Sequence, residues 1–360
     1  MITRLKEILV IQSESYKQWR MFAFLIRKLT ALEVPFYVND GCIYATKGIS
    51  DIYPCVVAHM DTVHDICEDL AVLEVGNKLT GFNRVKMKQT GIGGDDKVGI
   101  YLALELLMKF DNIKVAFFRD EEIGCGGSYN AELDFFSNCS FVLQGDRRGN
   151  KDFIHRASGT QLCSKNFKKV ISPILKKYKY DFEEGMMTDV MALKEIGLSI
   201  SCANISCGYY NPHMAHEYVN IPDVMNCLAL MDEIITLHGN IRWEHKAHKA
   251  GKGGYYSGKW SSWDDEYVPP KQIWNANTKQ WEVTSLGYDK IGRTKLTDAE
   301  RDDVWRNFKP FENDESEDFY DNTPVVNHCD FCQQSLPLTF VHNYNAYLCS
   351  DCATYFEPVR

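Results

Sequence analysis

Three apolar runs of the sequence end in side chains that bind protons or metal ions, and this shared ending constrains the fold most strongly. The runs are CVVAHMD (55–61), VAFFRDEE (115–122) and FVLQGD (141–146). A stretch of helical type, DKVGIYLALELLMKF (96–110), separates the first run from the second. Strands that alternate with helical segments predict an α/β fold, with a mostly parallel central sheet and helices on both of its faces.

The ends of these runs carry His59 and Asp61, then Glu121 and Glu122, then Asp146. In an open parallel sheet, ligands bind beyond the carboxyl ends of the strands, so these side chains would meet at one edge. Because several unpaired carboxylates close together repel one another and are costly in free energy to bury, a bound multivalent cation is expected between them. Taken one at a time, the same residues have plainer interpretations: a core histidine, a solvated acidic loop, acids at a helix N-terminus, or a turn residue.

Two further segments supply side chains of the same kinds. GIGGDDK (91–97) places Asp95 and Asp96 at the start of the predicted helix, where a plain helix cap is the alternative. GYYNPHMAHEYV (208–219) supplies His213 and His216 in a loop. Two zinc ions about 3.5–4 Å apart would suit such a site, and cobalt or manganese are the alternative metals. The five ligands would be His59, Asp95, Glu122, Asp146 and His213.

The order of the motifs carries a family resemblance. AHMDT, GGDDKVG, RDEEIG, QGD and NPHMAHEYV, in this order, resemble the motifs of the co-catalytic dizinc exopeptidases. That superfamily includes tripeptidase T, the carboxypeptidase G type enzymes and the single-domain dizinc aminopeptidases. GCIYATKG also resembles a hairpin that precedes the first metal-binding strand in tripeptidase-T-like members. The resemblance spans residues 1–240 and implies a dizinc peptidase catalytic domain there.

The resemblance also implies a role for each matched position of the metal site. His59 and Asp146 would complete the first zinc site, and Glu122 and His213 would complete the second. Asp95 would bridge both ions, and its bond to Asp96 would be a cis peptide. His216 competes with His213, but the spacing to Glu217 favours His213 as the ligand and leaves His216 near the substrate.

Further roles follow from the same resemblance. Asp61 would orient the imidazole of His59. Glu121 would be the general base, taking a proton from a water that bridges the two zinc ions. Thr188 and Asp189 resemble a segment that lines the substrate pocket, and a helix cap is the alternative.

Tripeptidase-T-like enzymes carry a separate lid or dimerisation domain after the strand that ends in the aspartate matched by Asp146. The stretch between Asp146 and Asp189 is too short to hold such a domain. The resemblance therefore implies an open active site, without the residues that a lid would add. It leaves the oligomeric state open.

The C-terminal third of the sequence has a different character. Residues 241–325 are rich in Gly, Ser, Trp and Tyr with little periodicity, which predicts a linker or an extended segment. Residues 326–360 contain CDFC and CSDC, two C-x2-C motifs typical of a zinc ribbon or treble clef. One structural zinc ion would be held by Cys329, Cys332, Cys349 and Cys352. A protein partner is the favoured use of this module.

Composition excludes some classes of function. The formal net charge of −9 argues against a general nucleic-acid binder, since neutralising phosphates needs concentrated Lys and Arg. The N-terminus lacks the long apolar core of a signal peptide, and the sequence has no run long enough to span a membrane. The other cysteines of the thirteen lie mostly in apolar contexts, which favours reduced thiols in a cytoplasmic protein.

The sequence thus predicts a cytoplasmic metallopeptidase, an aminopeptidase that acts on short peptides. Two alternatives stay open. One is hydrolysis of a non-peptide amide, such as an N-acyl amino acid, by the same site. The other is an adaptor protein with a residual metal site, against which the intact ligand positions argue.

Overall fold

The structure is a computed structural model that describes residues 2–67 and 69–246, together with four strands farther along the chain. The chain divides into two units, Met1–Gly254 and Tyr255–Arg360. The first unit contains the residues with the dizinc-type motifs. The cysteines described in it are free thiols, and all of them except Cys67 are buried.

The first unit alternates helices and strands along the chain. Its helices are α1 (Ile2–Leu9), α2 (Trp19–Ala31), α3 (Gly94–Lys109), α4 (Gly126–Tyr129), α5 (Lys165–Tyr178), α6 (Asp189–Ile196) and α7 (Ile221–His238), with a short 3-10 helix at Leu133–Phe136. Among the described residues, none of the helices combines the length and the apolar character needed to cross a bilayer.

The strands of the first unit form two sheets. In chain order they are β1 (Phe36–Asn39), β2 (Cys42–Lys47), β3 (Tyr53–His59), β4 (Leu70–Val75), β5 (Lys78–Asn83), β6 (Lys88–Thr90), β7 (Ile113–Phe118), β8 (Cys139–Arg147), β9 (Asp152–Ala157), β10 (Thr160–Gln161), β11 (Asp181–Gly185), β12 (Cys202–Ser206), β13 (Tyr209–Tyr210) and β14 (Tyr218–Asn220). The larger sheet has the order β1-β2-β7-β3-β8-β12-β9-β10, and β11 pairs with β9.

The centre of the larger sheet is parallel, as the sequence predicts. Strand β3 pairs in parallel with both β7 and β8, and β12 pairs in parallel with β8. The antiparallel pairs lie towards the two edges. Every residue of β3 and β7 is buried, and their near-continuous apolar sequences are typical of strands covered on both faces.

Neighbouring residues of β8 show that helices cover both faces of this sheet. A Cβ atom added to Gly145 would approach Leu102 of α3 and Met231 of α7. The side chain of Gln144 instead accepts a hydrogen bond from the backbone of Val190 in α6. Because successive residues of a strand point to opposite faces, α3 and α7 lie on one face and α6 on the other. The predicted fold class is therefore confirmed for the first unit.

The three apolar runs do end at the same edge. His59 is the last residue of β3 and lies opposite Phe118, the last residue of β7. Asp146 lies one residue before the end of the adjacent strand β8. The parallel pairing thus brings the histidine and the acids of these strand ends together.

Leucine and phenylalanine residues at helical spacings predict a helical region over residues 1–32, and the structure places two helices within it. Helices α1 and α2 are separate, and the segment between them pairs with the residue after the HMD motif. The backbone N–H of Thr62 donates to the carbonyl of Ser13 (2.8 Å), and that of Ser15 donates to the carbonyl of Thr62 (3.2 Å). These tertiary hydrogen bonds hold the segment between the two helices, and helical spacing in the sequence does not reveal them.

The smaller sheet, which the sequence analysis did not predict, has the order β13-β14-β5-β4, with β6 paired to β5. Strand β14 pairs with β5 from Tyr218 to Asn220. The loop between β13 and β14 contains His213 and His216. This sheet therefore anchors the histidine loop, while the larger sheet anchors the strand ends.

The second unit is described only by two antiparallel strand pairs. Strands β15 (Lys271–Asn275) and β16 (Gln280–Ser285) pair within the range predicted to be a linker. Strands β17 (Leu338–Val341) and β18 (Ala346–Cys349) pair within the predicted zinc module. Cys349 ends β18, whereas Cys329, Cys332 and Cys352 lie outside the described residues.

Replacing Phe141 by Ala is expected to destabilise the first unit by about 3–5 kcal/mol. Phe141 is fully buried in β8, its ring lies 5.3 Å from that of Phe167, and Phe167 in turn packs on Trp243 at 5.5 Å. Chemical denaturation followed by circular dichroism would measure the loss. The matched control is Ile49→Ala at a 97% exposed position, where a change within about 0.5 kcal/mol is expected. Equal effects of the two substitutions would contradict this assignment of the core.

Candidate metal centre

His59 is held with one ring nitrogen directed at the acids of the strand ends. Its Nδ1 lies 3.0 Å from the backbone carbonyl of Asp61, so Nδ1 carries the proton and donates it to that oxygen. Nε2 is then the nitrogen that faces the acids and that a metal ion would bind in place of a proton. It lies 3.3 Å from Asp95 Oδ1 and 3.6 Å from Asp146 Oδ1. The tautomer and orientation are those of a metal-binding imidazole.

Asp95 presents its two carboxylate oxygens to two different histidines. Oδ1 lies 3.3 Å from His59 Nε2, and Oδ2 lies 3.4 Å from His213 Nε2. His213 Nε2 also lies 3.1 Å from Glu122 Oε2. Two groups of ligand atoms result, which share Asp95. We name them the first subsite (His59, Asp95, Asp146) and the second subsite (Asp95, Glu122, His213).

The spacing of these atoms fits a pair of zinc ions. Metal–ligand bonds of about 2.0–2.1 Å in tetrahedral geometry separate neighbouring ligand atoms by about 3.3–3.4 Å. The observed separations of 3.1–3.6 Å lie close to that value. Among the described residues, His59 Nε2 and Glu122 Oε1 are buried atoms without a hydrogen-bond partner. Buried polar atoms rarely lack a partner, so the residues present fit a metal at this position.

Asp96 is a competing ligand by distance alone. Ligand atoms of His59, Asp96 and Asp146 lie within 4.8 Å of one another, as do those of His59, Asp95 and Glu122. Both oxygens of Asp96, however, already accept backbone hydrogen bonds, from His59 N–H (3.1 Å) and Gly99 N–H (3.0 Å). Asp96 is thus already hydrogen-bonded through both oxygens, whereas the oxygens of Asp95 face His59 and His213. The peptide bond between the two residues is cis, as the resemblance implied.

The turn after β7 separates the two adjacent glutamates. Glu122 lies against His213, whereas Glu121 Oε2 lies 3.8 Å from His59 Nε2. That separation is longer than those from the same nitrogen to Asp95 and Asp146. Glu121 therefore lies beside the first subsite, farther from its histidine than the two ligand carboxylates.

Asp61 organises this turn. Its carboxylate accepts hydrogen bonds from the backbone N–H groups of Glu121 (2.9 Å) and Glu122 (3.3 Å), and from the hydroxyl of Ser15 (2.7 Å). The carboxylate lies 3.5 Å from His59 Nδ1, farther than the Asp61 carbonyl. Asp61 thus contacts His59 mainly through its backbone and both glutamates through its side chain.

The crowded charges perturb one another strongly. Burial, with the negative charge of Asp95, raises the pKa of Asp146 to about 8. Burial likewise raises the pKa of Glu121 well above its ordinary value, with Asp146 and Asp189 adding to the effect. Burial opposes the charged form of His59, but the carboxylates of Asp146, Asp61 and Asp95 outweigh it and raise the pKa of His59. The site therefore favours added positive charge, which a divalent cation supplies.

Thr188 and Asp189 lie next to Asp146 and are buried, with 2% and 0% exposure. The Thr188 hydroxyl lies 2.8 Å from Gln144 Oε1 and 3.2 Å from Asp146 Oδ2. Gln144 Nε2 donates to both Asp189 (2.9 Å) and Asp146 (3.1 Å). Thr188 immediately precedes α6, the position of a helix cap, and a role of the pair in lining a substrate pocket stays a prediction. Their contacts support a role in holding Asp146.

The two candidate histidines of the loop are placed differently. His213 adopts a left-handed backbone conformation, with φ of 65°, and its Nε2 points at Asp95 and Glu122. His216 is exposed and belongs to neither subsite. The preference for His213 agrees with this geometry, and contact of His216 with a substrate stays a prediction.

Sequence reasoning missed several residues that support the site. Gln144 and Asn204 hold Asp146: the Asn204 side chain accepts from the backbone N–H of Asp146 (3.0 Å) and donates to its carbonyl (2.7 Å). Glu217 accepts hydrogen bonds from His64 and from the backbone of the Asp95 loop. The QGD and HEYV motifs contain Gln144 and Glu217, so their position inside these motifs was the available signal.

Comparison with known proteins adds information on the fold. No protein-family model and no curated protein matches the sequence. The solved structures that are similar include PepT, an aminopeptidase from Bacillus cereus, with a TM-score of 0.53 and 12% identity over 65% of this chain and 96% of that chain. A tripeptidase from Staphylococcus aureus has a TM-score of 0.52 and 12% identity over 66% of this chain and 97% of that chain.

An archaeal aminopeptidase from Desulfurococcus kamchatkensis is similar to the same extent. Its TM-score is 0.52, with 13% identity over 65% of this chain and 94% of that chain. At this level of identity the likeness concerns the fold, and it extends over nearly the whole of each of the three structures. The chain therefore shares the fold of these two aminopeptidases and this tripeptidase.

Proposed function

We propose that the protein is a dizinc aminopeptidase that hydrolyses short peptides. The observation that carries the proposal is the position of Asp95, with one carboxylate oxygen towards His59 and the other towards His213. A carboxylate between two imidazoles, with a further acid on each side, is a ligand set for two metal ions. The similar folds of an aminopeptidase and a tripeptidase support the choice of peptides as substrates.

The two proposed subsites share Asp95, and each has two further ligands of its own. His59, Asp95 and Asp146 would hold one zinc, and Asp95, Glu122 and His213 would hold the other. When bound, such ions polarise the scissile carbonyl and lower the pKa of a water molecule. The carboxylate of Asp61 keeps Glu121 and Glu122 in one turn, which lets one glutamate bind metal while its neighbour stays free.

Glu121 is the proposed general base. Its carboxylate lies beside the first subsite, and it would accept the proton of the attacking water and pass it to the leaving amine. Burial, together with the neighbouring carboxylates of Asp146 and Asp189, raises the pKa of Glu121, so it binds a proton more readily than a solvated glutamate does. The Cys125 thiol donates to the other Glu121 oxygen (3.5 Å) and so orients it.

We retain the proposal that residues 326–360 form a separate module. The strand pair β17–β18 lies between the motif CDFC and the end of CSDC in the sequence. Cys329, Cys332, Cys349 and Cys352 would bind one structural zinc, which would supply folding energy that so short a segment lacks. Docking to another protein is the proposed use of the module.

Removal of metal should abolish hydrolysis, and added zinc should restore it. A library of free and N-acetylated peptides, analysed by mass spectrometry, would be digested before chelation, after chelation and after zinc addition. Release of N-terminal residues from free peptides alone is expected of an aminopeptidase. Cleavage of N-acyl amino acids in preference to peptides would favour the amidohydrolase alternative, and no hydrolysis by zinc-loaded protein would favour the adaptor.

Glu121→Gln should lower kcat by about 10²–10⁴-fold without releasing metal, because Glu121 is proposed to move protons and not to bind zinc. Activity and zinc content would be measured on the same preparation. The control is Asp120→Asn in the same acidic run, since Asp120 bonds Arg119 and the backbone of Tyr16, away from both subsites. Full activity of the Glu121 variant would refute the mechanism.

His213→Ala should lose zinc from the second subsite, whereas His216→Ala should bind both zinc ions of the catalytic site. The two histidines share one loop, but only His213 approaches Asp95 and Glu122. Zinc content after dialysis, measured by atomic emission, separates the variants. Zinc loss in the His216 variant alone would reverse the assignment.

A further inference from the structure

Glu217 is a buried carboxylate that connects the two loops of the second subsite. It is 0% exposed and lies four positions after His213, at the end of the loop between β13 and β14. Its partners lie on two segments. One is the glycine loop (residues 91–94) with Asp95, which follows it, and the other is the segment after β3, which carries His64. None of the metal-site roles assigned above explains why a carboxylate should be buried at this point.

Both carboxylate oxygens of Glu217 have hydrogen-bond partners. Oε2 accepts from the backbone N–H of Gly93 (2.8 Å) and lies 2.7 Å from His64 Nε2. Oε1 accepts from the backbone N–H of Asp95 (3.2 Å). The ammonium of Lys97, also buried, is attracted to the same carboxylate. Glu217 thus satisfies two N–H groups that would otherwise be buried without acceptors.

The glycines of GIGGDD allow this close approach. A Cβ atom on Gly91 would lie 2.0 Å from the ring of His64. A Cβ atom on Gly94 would lie 2.8 Å from side-chain atoms of Tyr209 and Val219, which flank the histidine loop. Gly93 has a φ of 66°, a conformation that glycine adopts without strain. The glycine loop is therefore shaped to lie against His64 and the strands around Glu217.

We propose that Glu217, oriented by His64, is a positioning residue that holds Asp95 and His213 at the separation needed to bind the second metal ion. The inference rests on the proposed function, since it concerns the same dinuclear site. Glu217 contacts the backbone of Asp95 directly, and it shares the short loop of His213. One side chain thus joins the start of α3, which carries Asp95, to the loop that carries His213.

The first subsite does not depend on this connection to the same degree. His59 and Asp146 lie on β3 and β8, which pair with each other in the central sheet. The backbone of His59 is also fixed by Asp96, and that of Asp146 by Asn204. Loss of Glu217 should therefore weaken the second subsite more than the first.

Glu217→Gln is the direct test because it keeps the shape of the side chain. A glutamine has one acceptor oxygen, so its NH₂ group would face one of the N–H donors now bonded to the carboxylate. Cobalt would be titrated into metal-free protein and followed by visible absorption and calorimetry. Wild type should bind two cobalt ions at the catalytic site. In the variant the second ion should bind about 10–100-fold more weakly, with the first changed by less than about threefold.

Substitutions of His64 test the other half of the proposal. His64→Gln keeps a donor towards Glu217 and should retain most of the second-site affinity, while His64→Leu removes the donor and should lose part of it. Lys194→Met is the matched control for removing a buried charged group. Lys194 bonds the carbonyls of Leu198, Ile200 and His245 and contacts neither subsite, so its loss should lower stability without changing the ratio of the two affinities.

The possible outcomes separate the inference from the proposed function. A Glu217→Gln variant with unchanged second-site affinity would overturn the inference, and so would equal weakening of both subsites, which indicates general destabilisation. Failure of the wild-type protein to bind a second cobalt ion at all would overturn the proposed function itself. Selective weakening of the second ion, with recovery in His64→Gln relative to His64→Leu, would support the positioning role.

Discussion

Negative charge gathered at the carboxyl edge of the central sheet is the constraint on which the organisation of this site depends. Burial makes an isolated carboxylate costly, so each acid there needs compensation. Asp61 and Asp96 obtain it from backbone N–H groups, and the Asp146 carboxylate obtains part of it from the side-chain amides of Asn204 (3.4 Å) and Gln144 (3.1 Å). The negative charge that lacks such partners is concentrated where Asp95 and Glu122 face His59 and His213. This part of the site therefore favours the binding of cations.

The two subsites differ in what holds them. The first is built on neighbouring parallel strands, whose hydrogen bonds fix His59 and Asp146 in register. The second is built on the glycine loop, the turn after β7 and the histidine loop, none of which is a regular strand. Hydrogen bonds between side chains and backbone take the place of strand pairing there. The Asp61 carboxylate binds the backbone of the turn, and the Glu217 carboxylate binds the backbone of Asp95. Such contacts align ligand groups that come from separate elements.

The local hydrophobic pattern of the sequence predicts the ends of the strands. It does not predict the tertiary contacts that support the site. The runs ending in His59, Glu122 and Asp146 have the apolar character of buried strands, and their polar ends are visible in the sequence. The segment between α1 and α2, by contrast, pairs with Thr62, a residue distant in sequence. The contacts that bury Thr188 and Asp189 beside Asp146 likewise join residues far apart in the sequence.

The sequence by itself determined the α/β class, the parallel strand ends and the identities of the metal-site candidates, because these depend on local hydrophobic pattern and on residue chemistry. Only the tertiary structure decided how those candidates are used. It separated Asp95 from Asp96 by giving the latter two backbone donors, and it directed His213 instead of His216 at the acids. It also joined Glu217 to the glycine loop. These distinctions depend on distances between residues far apart in the chain, which spacing along the sequence does not specify.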